Sequence, residues 1–153
     1  MSWLPAIAAG DDAFERAFRL RPNLFAAWRD FAALLWEAGQ VDPTILELCR
    51  LRIGQLHGAV CPRVGGAPAP ALPAAKLAHL ADWWNRDAYS DTERACLRFA
   101  EQFVLDAKRI GDDEAAAVTD ALGDAGTVAF VEALAILDGF ARFARILDVG
   151  PHR

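Results

Sequence analysis

The chain has 153 residues, of which 54% are hydrophobic and 24% are charged, and its formal net charge at pH 7 is −5. This length is sufficient for one domain with a sizeable hydrophobic core, and the composition is that of an ordinary globular protein. The negative charge and the scattered Lys and Arg residues argue against nucleic-acid binding, which needs a continuous basic surface.

The three cysteines stand at widely separated positions, Cys49, Cys61 and Cys96. They do not form the pattern of a disulfide framework, so we expect a reducing, cytoplasmic location. The N-terminal apolar stretch has no positive region before it and is followed directly by Asp11 and Asp12, unlike a signal peptide. No stretch reaches the roughly 20 apolar residues of a membrane-spanning helix, so we expect no membrane insertion.

Helical periodicity dominates the chain, and no stretch alternates for long enough to predict a strand. A short first helix is predicted over about residues 12–18. A second is predicted over about 23–38, ended by Gly39. Its large apolar residues form one broad face: Leu24, Phe25, Trp28, Phe31, Leu35 and Trp36.

The third helix has clear boundary signals in the sequence. Asp42 is the predicted N-cap, Pro43 lies in the first turn, and Gly58 is the predicted end. Residues 62–73 are rich in Pro and Gly, which favours an irregular loop. A short fourth helix is then predicted over about 74–84.

The sequence Ser-Asp-Thr-Glu at residues 90–93 is a capping box, and it opens a fifth helix that ends near Ala107. A sixth helix is predicted over about 112–122 and a seventh over about 124–146. The seventh is apolar around much of its circumference, so we expect it to be central or buried in a subunit interface. The chain contains no internal repeat and no domain boundary. It is predicted to be a single all-α bundle of about seven helices over all 153 residues.

Residues 47–58, Glu-Leu-Cys-Arg-Leu-Arg-Ile-Gly-Gln-Leu-His-Gly, resemble the signature helix ELxRLRxAQLNG of the carboxymuconolactone decarboxylase and alkylhydroperoxidase D-like family. Residues 80–95 are similar to that family's LLDW…FSxxERAAL segment, residues 137–143 to its FNGxNR helix, and residues 21–24 to the stretch that leads into its second helix. The resemblance covers most of residues 20–150. It implies the helical fold of the family and a homo-oligomer, such as a dimer, a trimer or a hexamer.

In this family the glutamate is followed twelve residues later by a Cys-x-x-Cys pair and then by a histidine. One thiolate attacks the peroxide, and the second thiol resolves the sulfenic acid as a disulfide. When this sequence is aligned with the family motif from Glu47 without gaps, the two cysteine positions are Ala59 and Pro62 and the histidine position is Gly66. The one cysteine near these positions is Cys61. The two-cysteine cycle cannot run within this motif, whereas a one-cysteine cycle with an external reductant remains open.

Three residues are candidates for catalysis, Glu47, His57 and Cys61. Glu47 is either a partly buried carboxylate that transfers protons in a pocket, or the partner of Arg50 or another arginine in an ion pair. His57 either serves in acid–base chemistry or binds the free carbonyl groups of the last helical turn. Cys61, in a loop, is the candidate attacking thiol.

Other conspicuous side chains are predicted to be structural. Two cysteines within helices, Cys49 and Cys96, should act as small hydrophobes. Two adjacent tryptophans, Trp83 and Trp84, should belong to the core or an interface rather than to a cofactor site. His79 and His152 form no metal-ligand cluster with the cysteines. The sequence therefore predicts neither a metal site nor a bound cofactor.

Two functions are compatible with these observations. The resemblance implies a peroxidase-related oxidoreductase with impaired or altered activity, acting on a peroxide or a small organic acid. The decarboxylase branch of the family lacks the cysteine pair, so its loss does not exclude catalysis. The alternative is a non-catalytic oligomeric or small-ligand-binding protein that retains the fold.

Overall fold

The computed structural model describes residues 3–4, 13–37, 39–63 and 68–149, and all regular secondary structure within these ranges is helical. The described residues form six α-helices: α1 (Ala13–Phe18), α2 (Pro22–Leu34), α3 (Pro43–His57), α4 (Ala74–Ala78), α5 (Asp91–Asp106) and α6 (Asp112–Leu147). Short 3₁₀ segments follow α4 and α5, at Leu80–Asn85 and Ala107–Arg109. The predicted all-α class is confirmed. None of the helices in these ranges is long and apolar enough to cross a bilayer.

Helix α3 has the boundaries that the sequence predicts. The Asp42 carboxylate accepts a hydrogen bond from the Thr44 backbone N–H at 2.7 Å, which satisfies one of the free donors of the first turn. At the other end, Gly58 adopts the left-handed conformation with φ 61°. Glycine reaches this conformation without the strain that a side chain would add.

Helix α2 is shorter than predicted. It ends at Leu34 instead of continuing over 23–38, and residue 38 lies outside the described residues. The backbone N–H groups of residues 35–37 bind carbonyl groups three residues earlier, so the chain tightens into turns. These turns bring Trp36 into the interior, where it is buried. Tertiary packing of Trp36 therefore accompanies the early end of the helix.

The predicted helix over 74–84 is divided into α4 and the 3₁₀ segment that follows it. Asp82, inside that segment, is non-helical with φ −126° and ψ 32°. The Arg94 guanidinium on α5 donates to the backbone carbonyl groups of Trp83 and Trp84, at 3.5 and 3.1 Å, and so satisfies acceptors at the end of the segment. Trp83 is buried as predicted, whereas Trp84 is half-exposed and does not belong to the core of this molecule.

The predicted boundary between the sixth and seventh helices is confirmed at Gly123, within α6. This residue has φ 69° and ψ 173°, which breaks the helix into two parts. Only glycine adopts such backbone angles readily, because a Cβ atom would clash.

The main core lies where α3, α5 and α6 pack against one another. Its largest fully buried side chains are Leu48, Ile53, Leu97, Phe130, Leu134 and Leu137. The second part of α6 is central, as its apolar circumference predicts. Cys49 and Cys96 are fully buried here among apolar side chains, the location expected of cysteines that act as small hydrophobes.

A second cluster joins α1 and α2 to the end of α6. It is formed by aromatic rings whose centroids lie 5.1–6.4 Å apart, mostly edge to face: Phe14, Phe18, Trp28, Phe140 and Phe143. Two residues of the predicted apolar face of α2, Leu24 and Phe31, are instead about half-exposed. The prediction of one buried face on α2 is therefore only partly correct.

Candidate functional site

Glu47 lies on α3 with a residue exposure of only 4%. Its two carboxylate oxygens accept hydrogen bonds from Arg50 Nε and Nη2 at 2.9 and 2.8 Å, in a bidentate pair one helical turn apart. Arg63 Nη1 donates to the same carboxylate at 3.0 Å. The predicted ion pair is present, and it includes both an arginine on the same helix and an arginine from elsewhere.

These arginines decide the protonation state of Glu47. Burial raises the pKa of the carboxyl group, but the hydrogen bonds and charges of Arg50 and Arg63 outweigh burial and hold the pKa below its usual value. Glu47 is therefore ionised at neutral pH, with both oxygens occupied. A carboxylate in this state is a weak base, because the two cations stabilise its charged form.

Arg63 was not identified from the sequence. Its guanidinium carbon lies 3.5 Å from the centroid of the Trp36 ring, a cation–π contact, while Nη1 binds Glu47. Arg63 thus connects the turn after α2 with the loop after α3. No local pattern indicates this contact, because Arg63 is 16 residues from Glu47 and its loop has no periodicity.

Cys61 lies beside this ion-pair cluster, in a segment without helical structure. Arg50 Nη1 donates a hydrogen bond to the Cys61 carbonyl oxygen, so Arg50 joins the loop to Glu47. The thiol itself donates to the Leu137 carbonyl oxygen of α6 at 3.2 Å, and Cys61 is 2% exposed. The structure therefore brings Cys61 close to the Glu47 cluster, but the thiol is directed toward α6.

Gly54 allows the loop to lie directly on α3. A Cβ atom at this position would stand 2.8 Å from the Ala59 carbonyl oxygen and 3.1 Å from the Cys61 backbone nitrogen. Both atoms belong to the backbone, so neither can move as a flexible side chain would. The family signature has alanine at this position, and the glycine here permits a closer approach of the segment that carries Cys61.

Burial makes the Cys61 thiol a poor acid. It raises the pKa of Cys61 to about 12; the Arg50 charge acts in the opposite direction, and the Glu47 and Asp138 charges add to the effect of burial. The thiolate is the reactive form of cysteine. At neutral pH this side chain is consequently a protonated thiol enclosed by α3, α6 and its own loop.

His57 makes a contact that was not predicted. Its Nε2 lies 2.6 Å from Asp138 Oδ1, and each side chain is 14% exposed. The other oxygen, Asp138 Oδ2, accepts from Arg142 Nε at 2.7 Å. The contact that the structure shows for His57 is this side-chain pair. A neutral imidazole that donates through Nε2 keeps Nδ1 as its acceptor.

Asp138 was missed because it is 81 residues from His57 in the chain. A signal for it nevertheless exists in the motifs. The family signatures ELxRLRxAQLNG and FNGxNR have asparagine at the positions of His57 and Asp138. Both positions depart from the motif, and the two side chains contact each other. The chain has a titratable pair where the signatures have two neutral amides.

Four of the residues named from the sequence, Asp11, Asp12, Gly66 and His152, lie outside the described residues. Within the described part of the chain, no three His, Cys, Asp or Glu side chains come together in a way that could hold a metal ion. Comparisons of the chain with family models, with curated proteins and with solved structures give no significant match. The family resemblance therefore stays a prediction from the sequence motifs.

Proposed function

We propose that this chain is a divergent carboxymuconolactone decarboxylase and alkylhydroperoxidase D-like protein in which thiol-dependent peroxide reduction has been lost. The observation that supports this proposal most directly is the buried environment of the Cys61 thiol. Its thiol is buried, donates to the Leu137 carbonyl oxygen and has a pKa raised to about 12. Peroxide reduction needs an accessible thiolate, and these contacts stabilise the protonated thiol instead.

The direction of the pKa shift supports this choice. With the pKa raised to about 12, the thiolate fraction of Cys61 at pH 7 is far below the few per cent of an unperturbed cysteine. Glu47 cannot compensate as a base, since Arg50 and Arg63 occupy its oxygens. Cys49 and Cys96 are buried within the helical core, and burial raises the pKa of both.

Thiol labelling and a peroxidase assay test this proposal together. In denaturant at pH 8, a thiol reagent should label all three cysteines. We expect the native protein, treated for the same time at the same pH, to remain unlabelled. Organic hydroperoxide consumption with dithiothreitol should be equal in wild type and Cys61→Ser. The proposal would be disproved if wild type showed both a fast-labelling thiol and peroxidase activity, and Cys61→Ser lost both.

A second candidate function is proton transfer without a thiol, and the His57–Asp138 contact favours it. A base oriented by a carboxylate is a recurring arrangement in acid–base catalysis. In a decarboxylation, the carbon that loses CO₂ keeps the electron pair of the broken bond and must gain a proton. His57 imidazolium, held by Asp138, would supply this proton and regain one from solvent. The decarboxylase branch of the family, which lacks the cysteine pair, performs a reaction of this class.

This candidate predicts the effect of restoring the two motif residues. If wild type decarboxylates carboxymuconolactone, we expect His57→Asn and Asp138→Asn each to reduce the rate by about 10²- to 10⁴-fold, because the first removes the proton donor and the second removes the carboxylate that orients it. Cys61→Ser serves as the matched control and should keep the wild-type rate. Equal rates in wild type and His57→Asn would contradict this candidate.

The alternative function is non-catalytic, as an oligomeric or small-ligand-binding protein that retains the fold. It is supported by the fact that each candidate catalytic group already has a partner: Glu47 has two arginines, Cys61 has the Leu137 carbonyl group, and His57 has Asp138. An absence of both peroxidase and decarboxylase activity in the folded wild type would favour this alternative.

A further inference from the structure

Helix α2 carries an exposed apolar stripe along its outer side. Leu24, Ala27, Phe31 and Leu34 are separated by three, four and three residues, so they lie along one side of the helix. Leu24 is 46% exposed, Phe31 47% and Leu34 59%. Alternating spacings of three and four are the pattern with which one helix packs against another.

The adjacent, inner side of α2 is already occupied by its own molecule. Phe25 and Ala32 are buried there, and Trp28 packs against Phe18 of α1 and Phe140 of α6. The apolar arc of α2 is thus wider than the surface that one molecule covers. A helix with apolar residues over so much of its circumference has a second packing surface.

A groove continues the stripe across the molecule. It has a volume of about 350 Å³ and lies between the end of α2, the start of α3 and α6. Its apolar lining includes Phe31, Leu34, Val41, Leu46 and Ala129. The stripe and the groove together form a continuous exposed apolar patch, of the kind that marks interaction sites.

We propose that a second copy of this chain covers this surface, with the two α2 helices packed antiparallel about a two-fold axis. The stripe is self-complementary, because Leu24 lies opposite the partner's Leu34, and Ala27 lies opposite the partner's Phe31. The large side chains of one copy then reach the groove of the other. Such a contact is isologous and closes at two subunits.

Charge selects the antiparallel arrangement. Arg21 directly precedes α2, Glu37 follows its end, and both are exposed. In the antiparallel arrangement Arg21 lies beside the partner's Glu37, and opposite ends of the two helix dipoles are adjacent. A parallel arrangement would place the two arginines together and the two glutamates together.

This surface differs from the one that the sequence suggests for an oligomer. The apolar circumference of the last helix was the argument for a subunit interface there. Within the molecule, α3 and α5 cover one side of that helix, where Phe130, Leu134 and Leu137 are buried. Its exposed large apolar side chains, Val128 and Ile146, lie 18 residues apart, whereas those of α2 form one stripe. The inference is independent of whether the site around Cys61 is catalytic.

The first test is the oligomeric state in solution, measured by light scattering coupled to size exclusion at micromolar concentration. We expect wild type to be a dimer, and Leu24→Glu and Phe31→Glu to weaken its association by about a hundredfold or more, because each places a charge within the apolar interface. Leu105→Glu is the matched control: Leu105 is 69% exposed on α5, outside the stripe, and the variant should remain dimeric. Circular dichroism verifies that the variants remain helical.

A monomeric wild type would overturn the proposal. A Phe31→Glu variant that stayed dimeric would equally overturn it.

Cross-linking tests the orientation of the helices. Residues 24 and 34 are about 15 Å apart along one helix, too far for a disulfide within one chain. We expect a mixture of Leu24→Cys and Leu34→Cys proteins to form a disulfide-linked dimer on mild oxidation. Each variant alone should not, since the two copies of the same residue also lie about 15 Å apart along the axis. Cross-linking of Leu24→Cys alone, or none in the mixture, would contradict the antiparallel arrangement.

Discussion

Replacement of Glu47 by Gln is expected to lower the free energy of unfolding at pH 7 by about 3–5 kcal/mol. The carboxylate neutralises two arginine side chains that are themselves largely buried, at 11% and 15% side-chain exposure. Glutamine preserves the size of the side chain but removes its charge, so Arg50 and Arg63 are left close together without the Glu47 counter-ion. Breaking a buried ion pair by removal of one partner has a large cost for this reason.

Chemical denaturation of wild type and Glu47→Gln measures this difference. The matched control is Glu15→Gln, which removes the carboxylate of an exposed pair with Arg19. We expect the control to change the free energy of unfolding by less than about 1 kcal/mol, because water screens an exposed ion pair. Equal effects of the two substitutions would mean that the Glu47 cluster does not stabilise the fold.

The difference in the free energy of unfolding between wild type and Glu47→Gln should depend on pH. The folded-state pKa of Glu47 is lowered from its usual value of 4.5, so the folded protein binds fewer protons here than the unfolded chain. The resulting stabilisation is complete above about pH 4.5 and is lost as the pH falls through the lower, folded-state pKa. We therefore expect the gap between wild type and Glu47→Gln to shrink on acidification below pH 4.5 and to be constant between pH 6 and 8.

The features that the sequence predicted well are encoded within a few residues of one another. Asp42 and Pro43 determine the start of α3 through the groups of its first turn, and Gly58 determines its end through one backbone conformation. The capping box of Ser90 and Glu93 is equally local, with both of its hydrogen bonds present. Local signals of this kind act before tertiary structure forms, so a single sequence is sufficient to identify them.

The features that the sequence did not predict depend on distant residues. Helix α2 ends where Trp36 turns inward under Arg63, and the segment after α4 is shaped by Arg94 from α5. The site shows the same limit. Glu47 and Arg50 share a helix and were paired correctly, whereas Arg63 and Asp138 come from other elements. Burial of Cys61 in a loop rich in Pro and Gly also could not be inferred, because it depends on contact with α3 and α6.

The contact of Gly54 with the Cys61 segment leads to the second large prediction. We expect Gly54→Ala to lower the free energy of unfolding by about 1–3 kcal/mol, because the new Cβ would stand 2.8 Å from the Ala59 carbonyl oxygen. In a helix without this contact, alanine would be about 1 kcal/mol more favourable than glycine. A net decrease in the free energy of unfolding would therefore be due to the clash of the new Cβ atom with the backbone. Gly139→Ala is the matched control. It is also in a helix, no described atom lies within 4 Å of a Cβ built there, and this variant should not lose stability.

Displacement of the segment should also expose the thiol. If Gly54→Ala weakens local packing by about 1–3 kcal/mol, labelling of Cys61 through local opening becomes about 5- to 150-fold faster, as mass spectrometry of the labelled protein would show. Cys49 and Cys96, which lie in the helical core, should remain protected. Unchanged labelling of Cys61 would show that the Gly54 contact does not enclose the thiol. Faster labelling of Cys61 in Gly54→Ala without hydroperoxide consumption would separate two causes of inactivity, burial of the thiol and absence of the other catalytic groups. The exposed thiol would then lack only its activating base and its resolving partner.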